Sequence, residues 1–401
     1  MPNASRRSIL QGAAAPLLAS SGMLAANDQP TYGLIATGSR GRGLHGAFQK
    51  LGARCLALCD VYEPHLERAR QMTPGNVKTY ADYHALLDLK DLDFVVIASP
   101  DHHHRPMLEA ALAAGKDVYL EKPLSMSLEE SQAMIRAVRK TNRVVQIGMQ
   151  RRSMGFIRQA KKVIDDGRLG PIVMVQAAWN WRFDMPLSNA PLEGKLDWER
   201  FLGAAPRRAL EPRRFRWWRG FWDYSGGNIT DQGTHLMDVV QWMTGSGAPV
   251  SATCQGQVVR APGAEVPNVF SAVYEYPNFL ATWTLNYRTT HNFDWSITFL
   301  GEEATMFMDR RGYKIYRSGP LTPEPWLWKG APEVIEEVPD ADRPEAHQQN
   351  FLECIRSRRE PNCPIEVAAA AVAGPHMANL ALRQGRKVRL GQDGLAVSES
   401  N

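Results

Sequence analysis

The stretch Ile35-Ala36-Thr37-Gly38-Ser39-Arg40-Gly41 ends a short apolar run and opens a helix-like segment, a pattern that can seat a dinucleotide. In such a turn Gly38 lets the backbone approach a pyrophosphate, and Gly41 lets helix and strand pack closely. The helix N-terminus, with Ser39 and Arg40 in its first turn, supplies amide donors and positive potential for phosphates. Ala36 stands where the fingerprint has its first glycine. About 20 residues on, Asp60 ends the second apolar run, where an acid accepts from adenosine ribose hydroxyls. A carboxylate there favours NAD over NADP, whose 2′-phosphate it repels. The plain alternative is a glycine-rich turn that binds nothing.

Two further stretches carry proton chemistry. The fourth apolar run leads into Ser99-Pro100-Asp101-His102-His103-His104, and the fifth into Glu121-Lys122-Pro123. In a doubly wound sheet both fall at the carboxyl edge of strands, where ligands bind. Ser99, Pro100, His104, Glu121 and Lys122 are therefore read as cofactor neighbours. Consecutive histidines point apart, so no metal site is assigned to the triplet; His104 is expected near a nicotinamide ring or capping the next helix. Lys122 can shuttle the hydroxyl proton that accompanies hydride transfer, a role that needs burial to bring its pKa toward neutrality. Taken alone it reads as a surface lysine. Later, in Gly226-Gly227-Asn228-Ile229-Thr230-Asp231-Gln232-Gly233-Thr234-His235, the carboxylate and imidazole of Asp231 and His235 are four apart. On one helix they share a face, as a pair in which a carboxylate orients an imidazole would; taken alone, the pair reads as structural.

These residues need a frame. The chain has 401 residues, enough for two domains, with 44% hydrophobic and 22% charged residues, as in an ordinary globular protein. The net charge is +5, and about +3 without the leader's Arg6 and Arg7, too little to argue for nucleic acid. No membrane span is read after the first 30 residues. From Thr31 to Gln150, apolar runs (Tyr32–Thr37, Arg54–Cys59, Val77–Tyr80, Phe94–Ala98, Val118–Leu120, Val144–Ile147) alternate with helical stretches such as Glu63–Met72, Met107–Ala114 and Leu128–Thr141, the last capped by Ser127. That alternation predicts a doubly wound parallel sheet over residues 31–150. Beyond it lie a helix at Gly155–Asp166 and strand-like runs at Ile172–Trp179, Ala252–Val259, Phe270–Glu275, Ala281–Tyr287, Ser296–Leu300, Thr305–Met308 and Lys314–Arg317. One helix at Thr230–Thr244 interrupts them, and Glu345–Ser357 and Val367–Gln384 close the chain. This second domain, residues 151–392 with its C-terminal helices, is expected to carry a largely antiparallel sheet. The proline-punctuated stretch from Gly319 to Pro344 reads as a surface connection.

Together the fingerprint with Asp60, the Glu121-Lys122-Pro123 triplet, and Gly226-Gly227 leading to Asp231 and His235 resemble the glucose-fructose oxidoreductase, inositol dehydrogenase and rhizopine-catabolism family, Gfo/Idh/MocA. The closing segment from His376 to Lys387 looks like the family's last helix. The resemblance covers about Thr31 to Leu390. It implies a Rossmann domain followed by an α/β domain with an open, mostly antiparallel sheet, whose outer face commonly joins subunits of a homo-oligomer. It also implies nicotinamide-dependent redox chemistry on sugars, cyclitols or related polyols. Lys122 would correspond to the active-site lysine, and Asp231 and His235 to the proton-transfer residues.

Residues 1–26 read as a signal peptide, and Ser5-Arg6-Arg7-Ser8-Ile9-Leu10 resembles a twin-arginine leader, which exports folded proteins to the periplasm. A cytoplasmic protein with an amphipathic N-terminal helix is the alternative. In a compartment without free NAD, a tightly held cofactor must be regenerated in place. Two sugars could then exchange a hydride, or a glycoside could be oxidised transiently, eliminate its aglycone and be reduced again. The readings are thus a sugar or polyol oxidoreductase, an NAD-dependent glycosidase, or a non-catalytic NAD-binding protein. On the substrate side, Arg152 follows the sixth strand, Trp179 belongs to a cluster with Trp181, Trp217, Trp218 and Trp222, and Tyr287 ends a second-domain strand, with His291 beyond it. Arg207, Arg208, Arg213, Arg214, Arg216 and Arg219, with only Glu211 among them, suggest either recognition of an acidic sugar or a subunit-pairing arm. Of five cysteines, Cys55 and Cys59 read as core residues, whereas Cys354 and Cys363 are candidates for a disulfide.

Overall fold

In a computed structural model of the chain, residues 29–398 are described apart from 328, 342 and 344; the leader read at 1–26 lies outside the described residues. Strands β1 (Thr31–Ile35), β2 (Arg54–Cys59), β3 (Lys78–Tyr80), β4 (Phe94–Ile97), β5 (Asp117–Leu120) and β6 (Val145–Ile147) form a parallel sheet in the order β3-β2-β1-β4-β5-β6. The order reverses between β1 and β4, which opens the crevice where such sheets bind ligands. β4 and β5 are buried on both faces, so they read as unbroken apolar runs. Helices α1 (Ser39–Lys50), α2 (Glu63–Gln71), α3 (Tyr83–Leu87), α4 (His104–Ala113) and α5 (Leu128–Arg139) link the strands. At α5, the Ser127 hydroxyl accepts from the Glu130 amide at 3.2 Å, and the Glu130 carboxylate accepts from the Met126 amide at 2.9 Å.

After α6 (Gly155–Asp165), strand β7 (Ile172–Asn180) enters a second sheet. It continues through β8 (Ser251–Gln257), β9 (Val269–Glu275), β10 (Leu280–Asn286), β11 (Asp294–Gly301), β12 (Ala304–Asp309), β13 (Gly312–Arg317), β14 (Val334–Pro339), β15 (Val388–Leu390) and β16 (Ala396–Ser398). The order is β14-β13-β12-β11-β7-β10-β9-β8-β15-β16, and of the described pairings only β7 with β10 is parallel. β9, β10 and β11 alternate buried and open positions, as one covered face requires. The other face leaves Val273 and Leu280 exposed.

Short helices α7 (Trp198–Leu202) and α8 (Pro212–Arg216) lie in the long segment between β7 and α9 (Gly227–Asp231), and α10 (Gly233–Thr244) follows. After β14 come α11 (Ala346–Ser357) and α12 (Ile365–Gln384), ahead of β15 and β16. Phe351 and Leu352 of α11 pack among Tyr32, Phe48 and Phe94 of the first sheet's core. Ile365, Ala368 and Val372 of α12 also join that domain, whereas Ala373, Met377 and Ala381 pack under the second sheet. The segment grouped with the second domain by its sequence position thus supports the first as well. α12 is long and apolar enough to cross a membrane, but it is largely buried as the helix shared by the two cores.

Three expectations need correction. The helix expected over Thr230–Thr244 is interrupted at Gln232. The Trp283 indole N–H donates to the Ile229 carbonyl at 3.2 Å, the acceptor that Gly233 would use in an unbroken helix. β14 lies within the stretch expected to be only a connection. It is a largely exposed edge strand, so no buried alternation marked it. Cys354 and Cys363 do not pair: all five cysteines are free and buried, Cys354 against the first domain's aromatic core and Cys363 under its other face.

Candidate active site

A cleft of about 1620 Å³ runs along the carboxyl edge of the parallel sheet. It exceeds the roughly 300–1,000 Å³ of ordinary small-molecule pockets. Ala36, Gly38, Ser39, Arg40, Asp60, Ser99 and Pro100 line it, so these sequence-predicted cofactor positions share one wall. The N-cap Gly38 has no side-chain cap bond, no acid stands in the first turn of α1, and the Ser99 hydroxyl is buried without a partner. A pyrophosphate suits those free amide donors. Gly41 lies beneath the wall, where an added Cβ would come 2.1 Å from the Ala36 carbonyl oxygen. Asp60 accepts from the Thr37 amide at 2.6 Å, the Thr37 hydroxyl at 3.0 Å and the Tyr62 amide at 2.9 Å. It braces the glycine turn while still facing the cleft.

A strap from the second domain covers this end. Leu196 bridges Tyr62, the Asp197 amide donates to the Val61 carbonyl at 2.8 Å, and the Glu63 amide to the Lys195 carbonyl at 3.0 Å. The same segment contributes Glu193, Arg200, Arg207, Trp218 and Arg219 to the lining.

Arg219, on the cleft wall, reaches Asp231, which with Lys122 and His235 lies outside the lining. Its Nε lies 3.1 Å from one Asp231 oxygen, while Lys122 Nζ donates to the other at 2.6 Å and to the Asp231 carbonyl at 2.9 Å. Burial opposes ionisation of Asp231, but the Arg219 and Lys122 charges outweigh it and hold the carboxyl down at about 2. Sequence spacing paired Asp231 with His235; in the structure its two carboxylate oxygens go to Lys122 and Arg219. The His235 Nδ1 is buried without a partner. Burial, then the Arg151 charge, holds His235 well below its usual range, so the imidazole is neutral near pH 7.

α12 fixes the loop after Lys122 and the turn before α9. His376 Nε2 meets the Ser125 hydroxyl at 3.1 Å, three residues past Lys122, and the Asn379 side chain donates to the Gly226 carbonyl at 2.8 Å. Gly227, which opens α9, has φ +64° and leaves no room for a Cβ, which would fall 1.9 Å from Val266 Cγ1.

The remaining candidates sit elsewhere. Glu121 holds Arg40, with the guanidinium at 2.6 and 2.8 Å. His104 does not reach the cleft: its fully buried ring lies 2.7 Å from the Pro123 carbonyl and 3.1 Å from the Ser99 carbonyl, tying two loops together. His102 and His103 both turn to the Phe201 carbonyl at 2.8 Å. Arg152 points away, into an ion pair with Asp238 at 2.6 Å, whereas its neighbour Arg151 lies beside Trp179. Tyr287 is buried behind the Asp231 cluster, where its hydroxyl donates to Asn228 at 3.1 Å. Trp179 is buried in the second core, and His291 is exposed.

The arginine cluster finds partners that a local reading cannot see. Arg207 pairs with Glu199, Arg208 with Asp223 at 2.6 Å, and Arg214 with Glu265 at 2.8 Å. Arg213 pairs with Glu211 at 2.6 Å, and Arg216 donates to the carbonyls of Ser188, Ala190 and Pro191.

Sequence reasoning missed Asp101. Buried, it accepts from the Ser225 hydroxyl at 2.8 Å, and burial, then the Asp231 charge, pushes it up to about 7. A carboxyl raised on folding contributes stability that is full below its unfolded value, near 4, and is lost as pH rises through 7. Asp101→Asn keeps the acceptor and removes that loss. Urea unfolding of the variant is expected to show a flatter pH dependence between 4 and 8, with a gain of a few kcal/mol at pH 8, at about 1.4 kcal/mol per pKa unit. An unchanged slope would mean that Asp101 is ionised in the native state.

Comparison with known proteins agrees with this architecture. Residues 31–149 match the family description "Oxidoreductase family, NAD-binding Rossmann fold", and residues 157–307 match the GFO/IDH/MocA C-terminal domain. Inositol 2-dehydrogenase of Salmonella typhimurium is 36% identical over 126 residues, 31% of this chain and 37% of that one. Levoglucosan dehydrogenase of Pseudarthrobacter phenanthrenivorans is 28% identical over 199 residues, 49% of this chain and 44% of that one. The chain thus spans less than half the length of these two relatives. The WlbA dehydrogenase of Bordetella pertussis, solved with NADH and UDP-GlcNAcA, superposes with a TM-score of 0.70 at 21% identity, covering 91% of this chain and all of the other. With both of its domains matched by the same family, the chain belongs to the Gfo/Idh/MocA oxidoreductases.

Proposed function

We propose that the protein oxidises a hydroxyl of a sugar, cyclitol or related polyol, using NAD seated against Gly38, Ser39, Arg40 and Asp60. The observation that carries this reading is an ammonium held by an ionised Asp231, which Arg219 on the cleft wall also holds, with a neutral buried imidazole four residues further on. His235 takes the hydroxyl proton. Lys122 gives two N–H groups to Asp231 and keeps the third for the oxygen on which negative charge develops. Asp231 and Arg219 fix the ammonium in place. NAD, when bound, accepts the hydride.

The strap over the adenosine end and the twin-arginine-type leader favour a second reading, in which NAD stays bound and the reaction is redox-neutral, as in a transient-oxidation glycosidase. The open face with Val273 and Leu280 supports a homo-oligomer built through the large sheet. Purified protein should be incubated with free polyols and with aryl glycosides, with and without added NAD. NADH accumulating with polyols supports the dehydrogenase, and phenol release without added NAD supports the glycosidase. Bound NAD with neither signal would leave only a binding protein.

A further inference from the structure

Arg151 follows β6 on the turn Gln150–Ser153 and is 7% exposed. Its guanidinium stacks 4.4 Å over the Trp295 ring and 5.2 Å over the Trp179 ring. Among the described residues it has no ion pair or hydrogen-bond partner, and Nη1 is buried and unpaired. The carboxylates that influence it hold other partners, although Asp238 Oδ2 is left buried without one. Asp238 holds Arg152 at 2.6 Å, and Asp294 accepts from the Trp181 indole at 3.0 Å and faces Arg310 at 3.5 Å. A guanidinium cannot discharge, and a charge withdrawn from water costs several kcal/mol unless paired. Burial lowers Arg151 to about 10, which still leaves it charged at neutral pH.

The surroundings share this deficit. Trp179 Nε1, a donor only, is buried without an acceptor, and His235 Nδ1 is buried without a partner; the Trp179 and His235 rings lie 6.5 Å apart. A neutral hydroxyl could satisfy the indole but would leave the cation unpaired. A carboxylate satisfies both, since it accepts several hydrogen bonds and pairs bidentately with arginine.

We propose that Arg151, with the Trp179 indole, binds a carboxylate of the substrate, so that the molecule oxidised beside His235 is a sugar acid of the uronate or aldonate class. The assignment rests on the sugar-oxidoreductase reading above and narrows it. It also moves acidic-sugar recognition from the 207–219 cluster, whose guanidinia are engaged, to a residue that sequence position alone passed over.

The test uses the full chain saturated with NADH. Tryptophan fluorescence follows titration with a panel of hexuronates and aldonates, each beside its neutral counterpart, beginning with D-glucuronate and D-glucose. At least one acid should bind tenfold or more tightly than its neutral counterpart. Arg151→Met should weaken that acid thirtyfold or more and shift neutral sugars less than threefold, while Arg151→Lys keeps part of the preference. Should the Met variant fail to fold, the wild-type preference and the Lys variant decide. Equal binding of acids and neutral sugars by the wild type, or equal losses for both in Arg151→Met, would overturn the assignment. Oxidation of neutral polyols with no response to acids overturns it too, but leaves the oxidoreductase reading standing; failure of NADH itself to bind removes both.

Discussion

Replacing Lys122 by Met is expected to lower kcat by a thousandfold or more while NADH affinity changes less than threefold. Methionine matches the lysine stem in length and removes the ammonium bonded to Asp231. The carboxylate keeps Arg219 at 3.1 Å, so the buried negative charge is not orphaned and the fold should persist. What disappears is the donor aimed at the reacting oxygen, and such donors and proton-transfer groups each contribute about 10²–10⁴ in rate. Lys122→Arg should recover only part, because a planar fork cannot reproduce one N–H directed at substrate while two hold Asp231. Steady-state rates on the best substrate, alongside NADH titration, separate the outcomes. A loss below tenfold would make Lys122 a structural tie between the loops.

Gly41→Ala should have the largest effect on the fold. Its Cβ would lie 2.1 Å from the Ala36 carbonyl oxygen and 3.7 Å from the Ala98 Cβ. The first obstacle is backbone, so α1 must shift away from β1, at about 1–3 kcal/mol or more for such overpacking. Because the N-terminus of α1 forms the phosphate wall, NADH affinity should fall together with the unfolding midpoint. The partner position predicts the opposite sign. Ala36 holds φ +67°, a left-handed conformation that costs an L-residue about 1–2 kcal/mol. Ala36→Gly relieves it and loses part of the gain to unfolded-state entropy, leaving about 0.5 kcal/mol of stabilisation. Denaturant unfolding of both variants checks the pair; equal effects would mean that the turn is not under the constraint described.

What could be read from the chain depended on how local the cause was. β2 was legible residue for residue and β4 nearly so, because strands covered on both faces are short apolar runs between turns. The glycine turn, Asp60 and Lys122 were legible because each lies at a strand end, where topology alone sets the position. The partnership of Asp231 was not. It turns on Lys122, remote in sequence, and Arg219, which folding brings to its two oxygens. Arg151 and Arg152 are neighbours, and contacts remote in sequence separate them: Trp179 and Trp295 take the first, Asp238 the second. The arginine cluster looked short of acids because Glu199, Asp223 and Glu265 arrive through folding.

The cofactor cleft can be tested before any substrate is known. Exciting the protein's tryptophans, Trp218 on the cleft wall among them, and recording sensitised NADH emission during titration reports binding directly. Saturation at one NADH per chain with micromolar affinity, weakened tenfold or more by Asp60→Ala, is the predicted result. No saturable signal up to millimolar NADH, or an Asp60→Ala variant that binds like the parent, would contradict the placement of NAD against Gly38 and Asp60.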